Sequence, residues 1–280
     1  MTSLPFAAAD EHARVFAGNR AVGRIALAAE FSRGITVRTR VHEAGSLRVR
    51  FPGARARELE AVVINSAGGI AGGDRFDIEV TAQAKARLVV TSASAEKVYR
   101  SLGPDAQIGI KLAAGAGASI AWLPQETILF DGARLARTID VELAEDARLI
   151  LAEALVFGRT GMGEAVEHGF VADRWRVRRG GRLLYAETVR LDGAVAQKLG
   201  EAAVANGAAA IATVLTVPGE EMAVATVRAL KSVLRGEVGI SAWNGLAVAR
   251  LCATDGAVLR HDLLAVLTAL RGALPRLWTN

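Results

Sequence analysis

Residues Ala118 to Glu164 read ASIAWLPQETILFDGARLARTIDVELAEDARLILAEALVFGRTGMGE, and one short phrase occurs twice within them. Each copy begins Ala-x-Ile/Leu, runs through apolar residues that enclose a carboxylate, and closes on a glycine turn. The first copy runs from Ala118-Ser119-Ile120 through Glu126 to Asp131-Gly132, the second from Ala147-Arg148-Leu149 through Glu153 to Gly158-Arg159. Outward of these, Ala86-Arg87-Leu88 opens an earlier copy, and Gly181-Arg182-Leu183, followed by Glu187, a later one. The four starts lie 32, 29 and 34 residues apart, a loose repeat. After each start the run is rich in Val, Ile, Leu and Thr, too short for a helix and bounded by Gly, Pro or Asp, which are strand signals. One such unit leaves a face bare. The expected fold is therefore mainly β, with β-helix-like stacked strand layers in which neighbouring units cover each other.

Composition sets the outer limits. A chain of 280 residues, 51% apolar and 22% charged, buries a large core. Residues 1–20 are weakly patterned and are expected to be poorly ordered; residues 21–280 are expected to form the β-rich domain. No apolar stretch reaches the ~18 residues of a membrane span. The start, MTSLPFAAADEHARVF, lacks the basic end and apolar middle of a secretion signal, so a cytoplasmic location is expected. A single cysteine, Cys252, excludes an intrachain disulfide framework and a cysteine-cluster zinc site. His12, His42, His168 and His261 are far apart in the chain, so no tight metal site is expected.

The net charge of +5 and pI of about 9.9 raise a nucleic-acid reading. The arginines, however, fall where an alternating strand would expose them. In Gly34 to Phe51, Ile35, Val37 and Val41 alternate with Arg38, Arg40 and His42, while Leu47, Val49 and Phe51 alternate with Arg48 and Arg50. Glu43 to Ser46 is read as the turn of a hairpin with one apolar and one basic face. That face is solvated or docks an acidic protein. No aromatic residues interleave with the arginines as base stacking requires.

Leu59 to Asn65 reads as a short strand running into SAGGIAGGDR, residues 66–75, whose four glycines permit positive φ and close backbone approach. No Gly-Lys-Ser/Thr follows, and Arg75 to Val80 reads as another strand, which argues against a phosphate loop. Asp74 is left to cap the turn or to line a site. In ARLVVTSASAEKVYR, residues 86–100, a strand leads into small hydroxylated residues from Thr91 to Ser94 and then Lys97, Tyr99 and Arg100, a surface loop or an approach to a site.

The central copies carry the chemistry if any exists. Glu126 and Asp131 flank Ile128 and Phe130, Glu153 sits inside LILAEALVF, Glu164 ends GRTGMGE, and Glu187 lies inside LLYAETVRL. A carboxylate in an apolar strand must be paired, hydrogen-bonded or bound to a cation. In stacked repeats such residues would line up in space; alternatively each pairs with an arginine such as Arg134, Arg137 or Arg159. Further on, Val171 to Leu191 reads as a hairpin turning at Arg179-Gly180-Gly181, and Asn206-Gly207 and Asn244-Gly245 as hairpin turns between strands. One helix follows Pro218-Gly219, with Val224, Val227, Leu230 and Leu234 at helical spacing and a stop at Gly236. A second spans Ala257 to Arg271, with Arg260 and Asp262 read as outward.

Four motifs in order, SAGGIAGGDR (66–75), TSASAEKVYRS (91–101), WLPQETILFDGARLART (122–138) and GRTGMGE (158–164), make the chain resemble the urease accessory protein UreD (UreH) family. The resemblance implies a strand-rich β-helical fold with two helices and a non-enzymatic role: a scaffold that binds apo-urease, recruits UreF and through it the GTPase UreG, and helps insert nickel. Nickel in transit through an internal passage is then expected, with no tightly bound cofactor. By position, Asp74, Thr91, Glu126, Asp131, Glu153, Glu164 and Glu187 are the passage candidates. Partner-binding candidates are Arg38, Arg40, Arg48, Arg50, Lys97, Tyr99 and Arg100. Oxygen ligands would hand on a hydrated ion without trapping it, since nickel prefers imidazole or thiolate. The competing reading is a β-helical carbohydrate-active enzyme using two of these carboxylates as acid and base. Aromatic content of 5% leaves few platforms for sugar stacking.

Overall fold

The computed structural model describes residues 18–53 and 57–279. The expectation for the N-terminal segment falls, over residues 1–17, outside these. From the first strand onward the chain winds as a β-solenoid of about four turns. It begins with β1 (Val22–Ser32), β2 (Ile35–Gly45), β3 (Leu47–Arg50) and β4 (Leu59–Asn65). The coil proper follows: β5 (Arg75–Ala82), β6 (Arg87–Ser92), β7 (Glu96–Val98), β8 (Ala106–Ala114), β9 (Ser119–Leu123), β10 (Thr127–Leu129), β11 (Arg134–Leu143), β12 (Arg148–Phe157) and β13 (His168–Arg179). It closes with β14 (Arg182–Ala194), α1 (Val195–Gly200), β15 (Ala210–Val217), α2 (Glu221–Arg228), β16 (Glu237–Trp243), β17 (Leu246–Ala253) and α3 (Gly256–Arg271).

Two sheets face each other across the core. The first has the order β14-β13-β11-β8-β5-β1-β2, and its five inner strands are parallel. The second runs β16-β17-β15-β12-β9-β6-β4-β3, with β4, β6, β9 and β12 parallel. Antiparallel strands flank both runs: β2 and β14 on the first sheet, β3 and β15 on the second. A third, narrow side is built by β7 and β10 stacking in parallel on the end of β12, with Ile70 bridging to Val98. Ile70, Val98, Leu129 and Phe157 form its buried column.

The repeat phrase is the inner edge of the second sheet. Leu88, Ile120 and Leu149 stack in register and point inward, and Ala86, Ala118 and Ala147 are buried just before them. Each fully buried leucine contributes roughly 1.5–3 kcal/mol, so three aligned copies make a continuous spine. The first sheet alternates cleanly: along β11, Leu135, Ile139, Val141 and Leu143 are buried while their neighbours are half-exposed or exposed. Strand β12 is apolar on both faces because α2 and α3 cover the outside of the second sheet, giving a second cluster around Leu259, Leu263, Val266 and Leu267.

Several expectations need correction. Gly34 to Phe51 is not a hairpin. β2 pairs with β1 through a turn at Arg33-Gly34, whereas β3 belongs to the other sheet, and Gly45 marks the crossing. A side chain at Gly45 would sit 1.6 Å from the Val22 carbonyl oxygen, so only glycine fits there. The alternation misled because β2 is an edge strand whose Val41 is exposed along with its arginines. The fourth repeat copy is likewise no repeat: Gly181-Arg182-Leu183 opens β14, antiparallel in the first sheet, after a two-residue Gly180-Gly181 turn. Asn206-Gly207 has the positive φ of a type I′ turn, but it closes the helical turns after α1, with Gly207 N–H donating to the Leu199 carbonyl, so no strand precedes it. The Asn244-Gly245 hairpin is as expected, joining β16 to β17. Helix α2 ends at Arg228, short of the expected stop.

Candidate functional site

An apolar strand phase places side chains in the core whatever their chemistry, and three charged residues occupy such positions. Arg137 is in phase with Leu135 and Ile139 on β11, Glu153 with Leu151 and Leu155 on β12, and Asp173 with Val171 and Trp175 on β13. They are 3%, 5% and 4% exposed. Arg137 and Asp173 are register partners in the first sheet, and Glu153 meets them from the second. Arg137 Nε donates to Asp173 Oδ1 at 3.0 Å, and its Nη1 donates to Glu153 Oε2. Trp122 Nε1 donates to Glu153 Oε1 at 2.8 Å and Trp175 Nε1 to Asp173 Oδ1 at 3.1 Å. Burial alone would lower the guanidinium pKa, but the Asp173 and Glu153 carboxylates raise it further. Two carboxylates face one guanidinium. Burial pushes the Glu153 carboxyl up to about 7, with Arg137 opposing and Asp173 reinforcing the shift.

Two cavities touch this triad. The larger, about 90 Å³, is lined by Thr91, Ser92, Glu96, Gln125, Thr127, Arg137 and Glu153 on an otherwise apolar wall. It is roomy enough for about three waters at ~30 Å³ each. The smaller, about 20 Å³, lies beyond Glu153 among Asp173, Glu187 and Thr213. Glu187 is gripped by the Tyr185 hydroxyl and by Arg250 Nη1 at 2.6 Å, and Arg250 is half-exposed. Burial raises the Tyr185 pKa, and the Glu187 carboxylate adds to it. A polar file thus runs through the core along the two cavities, from Glu96 past Glu153 and Asp173 to Glu187 and Arg250 at the surface. When all are ionised, four carboxylates against two guanidiniums leave two negative charges.

Of the residues singled out from the sequence, Glu153 and Glu187 border this file. Thr91 lines the larger cavity through β6; it is buried and its hydroxyl has no partner, and alternation turns the side chain to the helix-covered face with Val89. Glu126 is not in line with Glu153. It sits in the loop after β9, where Arg260 Nη1 donates to both its oxygens at 2.8 and 3.2 Å, and α3 reaches back over the coil to place that guanidinium. Asp74 accepts from Ala21 and Ala71 N–H, each at 2.8 Å, and so ties the glycine-rich turn to the start of β1. Asp131 accepts from His168 N–H at 3.0 Å. Glu164 takes two hydrogen bonds from Arg159, which hold its carboxyl below the usual range. The lining-up of acids from successive copies therefore fails for Glu126, because the repeat copies differ in where the carboxylate falls relative to the strand. A carbohydrate-cleaving pair is not assembled by Glu126 and Glu153, each committed to a different arginine.

The basic candidates divide between two surfaces. Arg38 and Arg40 lie on β2 and Arg48 and Arg50 on β3, at the same end of the solenoid; Arg38 stacks on Phe51 at 4.7 Å and Arg50 pairs with Glu43 at 3.0 Å. Lys97, Tyr99 and Arg100 occupy the narrow side. The Tyr99 hydroxyl donates to the Gly68 carbonyl at 2.7 Å, and its ring packs so close to Gly69 that a Cβ there would lie 2.4 Å away.

Asp173 and Glu96 were missed in the sequence, and so was the inward turn of Arg260 and Asp262. The signal for Asp173 was present: Val171-x-Asp173-x-Trp175-x-Val177 keeps one period-2 phase, the same signature that Arg137 shows on β11. Burial raises the Glu96 carboxyl pKa, against a hydrogen bond from Asn65 that lowers it. Among the described residues, no group of three or more His, Cys, Asp or Glu side chains gathers to hold a metal ion.

The sequence model described as UreD urease accessory protein matches residues 21–279. The chain belongs to that family. A relative named urease accessory protein UreD from Rhodopseudomonas palustris strain BisB18 is 58% identical over 269 residues, covering 96% of this chain and 97% of the relative. Namesakes from R. palustris strain CGA009 and from Bradyrhizobium diazoefficiens are 55% and 54% identical, each covering 95% of this chain and 96% of the relative. Membership in the UreD family gives the chain a role in urease maturation. Among the described residues no helix is long and apolar enough to cross a membrane.

Proposed function

We propose that this UreD-family chain acts in the cytoplasm as a non-enzymatic scaffold that binds apo-urease, recruits UreF and through it UreG, and passes nickel along its interior. The observation that carries the passage is the polar file: two cavities share Glu153 as a common wall, and the file ends at the half-exposed Arg250. Its net negative charge favours a divalent cation. Its carboxylates are already hydrogen-bonded, so a hydrated ion is met by exchangeable oxygens and is not trapped. The basic end around Arg38, Arg40, Arg48 and Arg50 and the narrow side around Lys97, Tyr99 and Arg100 are the surfaces we assign to partners.

Coexpression with the urease subunits and the other accessory proteins tests the two halves of this reading separately. Asp173→Asn combined with Glu187→Gln is expected to lower urease activation at least about tenfold, the loss of two ionised groups from a low-dielectric path, while copurification with partners persists. Glu164→Gln, on a surface ion pair, is expected to leave activation unchanged. Full activation by the double variant would retire the passage; failure of the wild-type chain to copurify with urease or UreF would retire the scaffold.

A further inference from the structure

Outside the core, on the face of the second sheet that the helices cover incompletely, lies a groove of about 440 Å³. One register row supplies its floor: Arg87, Ser119 and Arg148 are Cα partners on β6, β9 and β12. All three point outward because the next residues, Leu88, Ile120 and Leu149, are buried in the core. The two arginine Cα atoms stand two strand spacings apart, about 9.6 Å. Both long side chains therefore reach an anion seated over the Ser119 hydroxyl.

Two observations mark this row as a binding site. Among the described residues, neither the Arg87 nor the Arg148 guanidinium has an ion-pair or hydrogen-bond partner, and the two face one groove from either side of Ser119. Thr216, on β15 opposite Ile150, is 9% exposed, and its hydroxyl is buried without a partner. It shares the outward phase of Val214, which packs under the helices, so its side chain faces the groove. A buried hydroxyl left unmet costs about 1–3 kcal/mol. At the far end Arg271 is taken by Glu58. At the rim Asp146 accepts from Gly117 N–H at 2.8 Å. Among the charged groups lining the groove, three guanidiniums against the one carboxylate of Glu58 leave two positive charges, concentrated on Arg87 and Arg148.

We propose that this groove binds a phosphate-bearing small molecule, its phosphoryl oxygens bridged by Arg87 and Arg148 over the Ser119 hydroxyl, its organic part lying on Ile150 and Leu270 toward Thr216. Guanidiniums match phosphoryl oxygens with paired, charge-assisted hydrogen bonds. The groove volume is that of a small-molecule site.

The test titrates inorganic phosphate and phenyl phosphate separately into the full chain at low salt, following the arginine Nε–Hε and Thr216 methyl resonances. Saturable shifts are expected with both, phenyl phosphate binding more tightly. Arg87→Ala and Arg148→Ala should each weaken binding about tenfold or more, as loss of a charge-assisted contact does; Ser119→Ala should weaken it less. Both arginines are exposed, so an unchanged melting curve shows that the variants remain folded. The proposal is overturned if shifts grow linearly without saturation, if potassium chloride at equal ionic strength reproduces them, if the double arginine variant responds like the wild type, or if an unphosphorylated acidic peptide binds as tightly.

Discussion

Below about pH 7 the Glu153 carboxyl keeps its proton, because burial beside Asp173 outweighs the help of a single guanidinium. In the unfolded chain the same group ionises near 4.5. Between those two values the folded state binds the proton and the unfolded state does not, so this group's contribution to stability falls as pH rises, by at most about 1.4 kcal/mol per pH unit. Above about 7 the loss is complete. Glu153→Gln removes the titration and preserves the Trp122 hydrogen bond through its amide oxygen. Its stability relative to wild type, measured by urea melts from pH 5 to 8, should therefore rise with pH. A constant offset across that range would show that Glu153 is ionised throughout and that Arg137 alone sets its state.

Helix α3 is held at its N-terminus by Asp255, whose side chain accepts from Val258 N–H, and from its middle by Asp262. Asp262 is buried and its two oxygens accept from Arg235 and Gly236 N–H at 2.9 and 2.7 Å, pinning the loop after α2 to α3. Burial opposes its ionisation, but these bonds and His261 together hold its pKa below the usual range. Asp262→Ala should lower stability by about 2–4 kcal/mol, two backbone donors being orphaned at ~1–2 kcal/mol each. Asp262→Asn, which keeps one acceptor, should lose about half of that. Equal loss in both variants, read from thermal melts, would mean that a single neutral acceptor holds nothing and that the carboxylate's charge is required. The spacing of leucines and valines made α3 legible to within a residue of its start, but not the direction of Asp262. A lone carboxylate on an amphipathic helix reads as outward until the loop that needs its oxygens is known. The same limit explains the site. Strands β4, β5, β6 and the β13–β14 hairpin follow from local pattern and turn residues. Which arginine meets which acid depends on segments 16 to 134 residues apart, as Arg137 with Glu153 and Arg260 with Glu126 show. Side-chain phase was the one local clue to the buried triad.

At the scale of the whole molecule, the C-terminal segment returns to the helix-covered face of the second sheet, beside the strands in the middle of the coil. Trp278 is 1% exposed and its indole N–H donates to the Leu123 carbonyl at 3.0 Å, while Arg260 bridges the Trp278 carbonyl to Glu126. The loop after β9 is thus clamped by residues more than 130 positions away. Trp278→Ala should destabilise the protein by about 3–5 kcal/mol and should speed amide exchange at Gln125, whose N–H donates to Ser92 Oγ at 2.8 Å. Protection at Gln125 equal to wild type would show that the loop is held by the coil alone. The reversed strands at the ends of the parallel runs have a consequence of their own. A parallel coil with bare ends is a template on which identical copies stack into fibres. With β2 and β3 turned back at one end and β14 and the β15-β17-β16 run at the other, the parallel winding stops before the sheet edges, so a second copy cannot simply continue the coil.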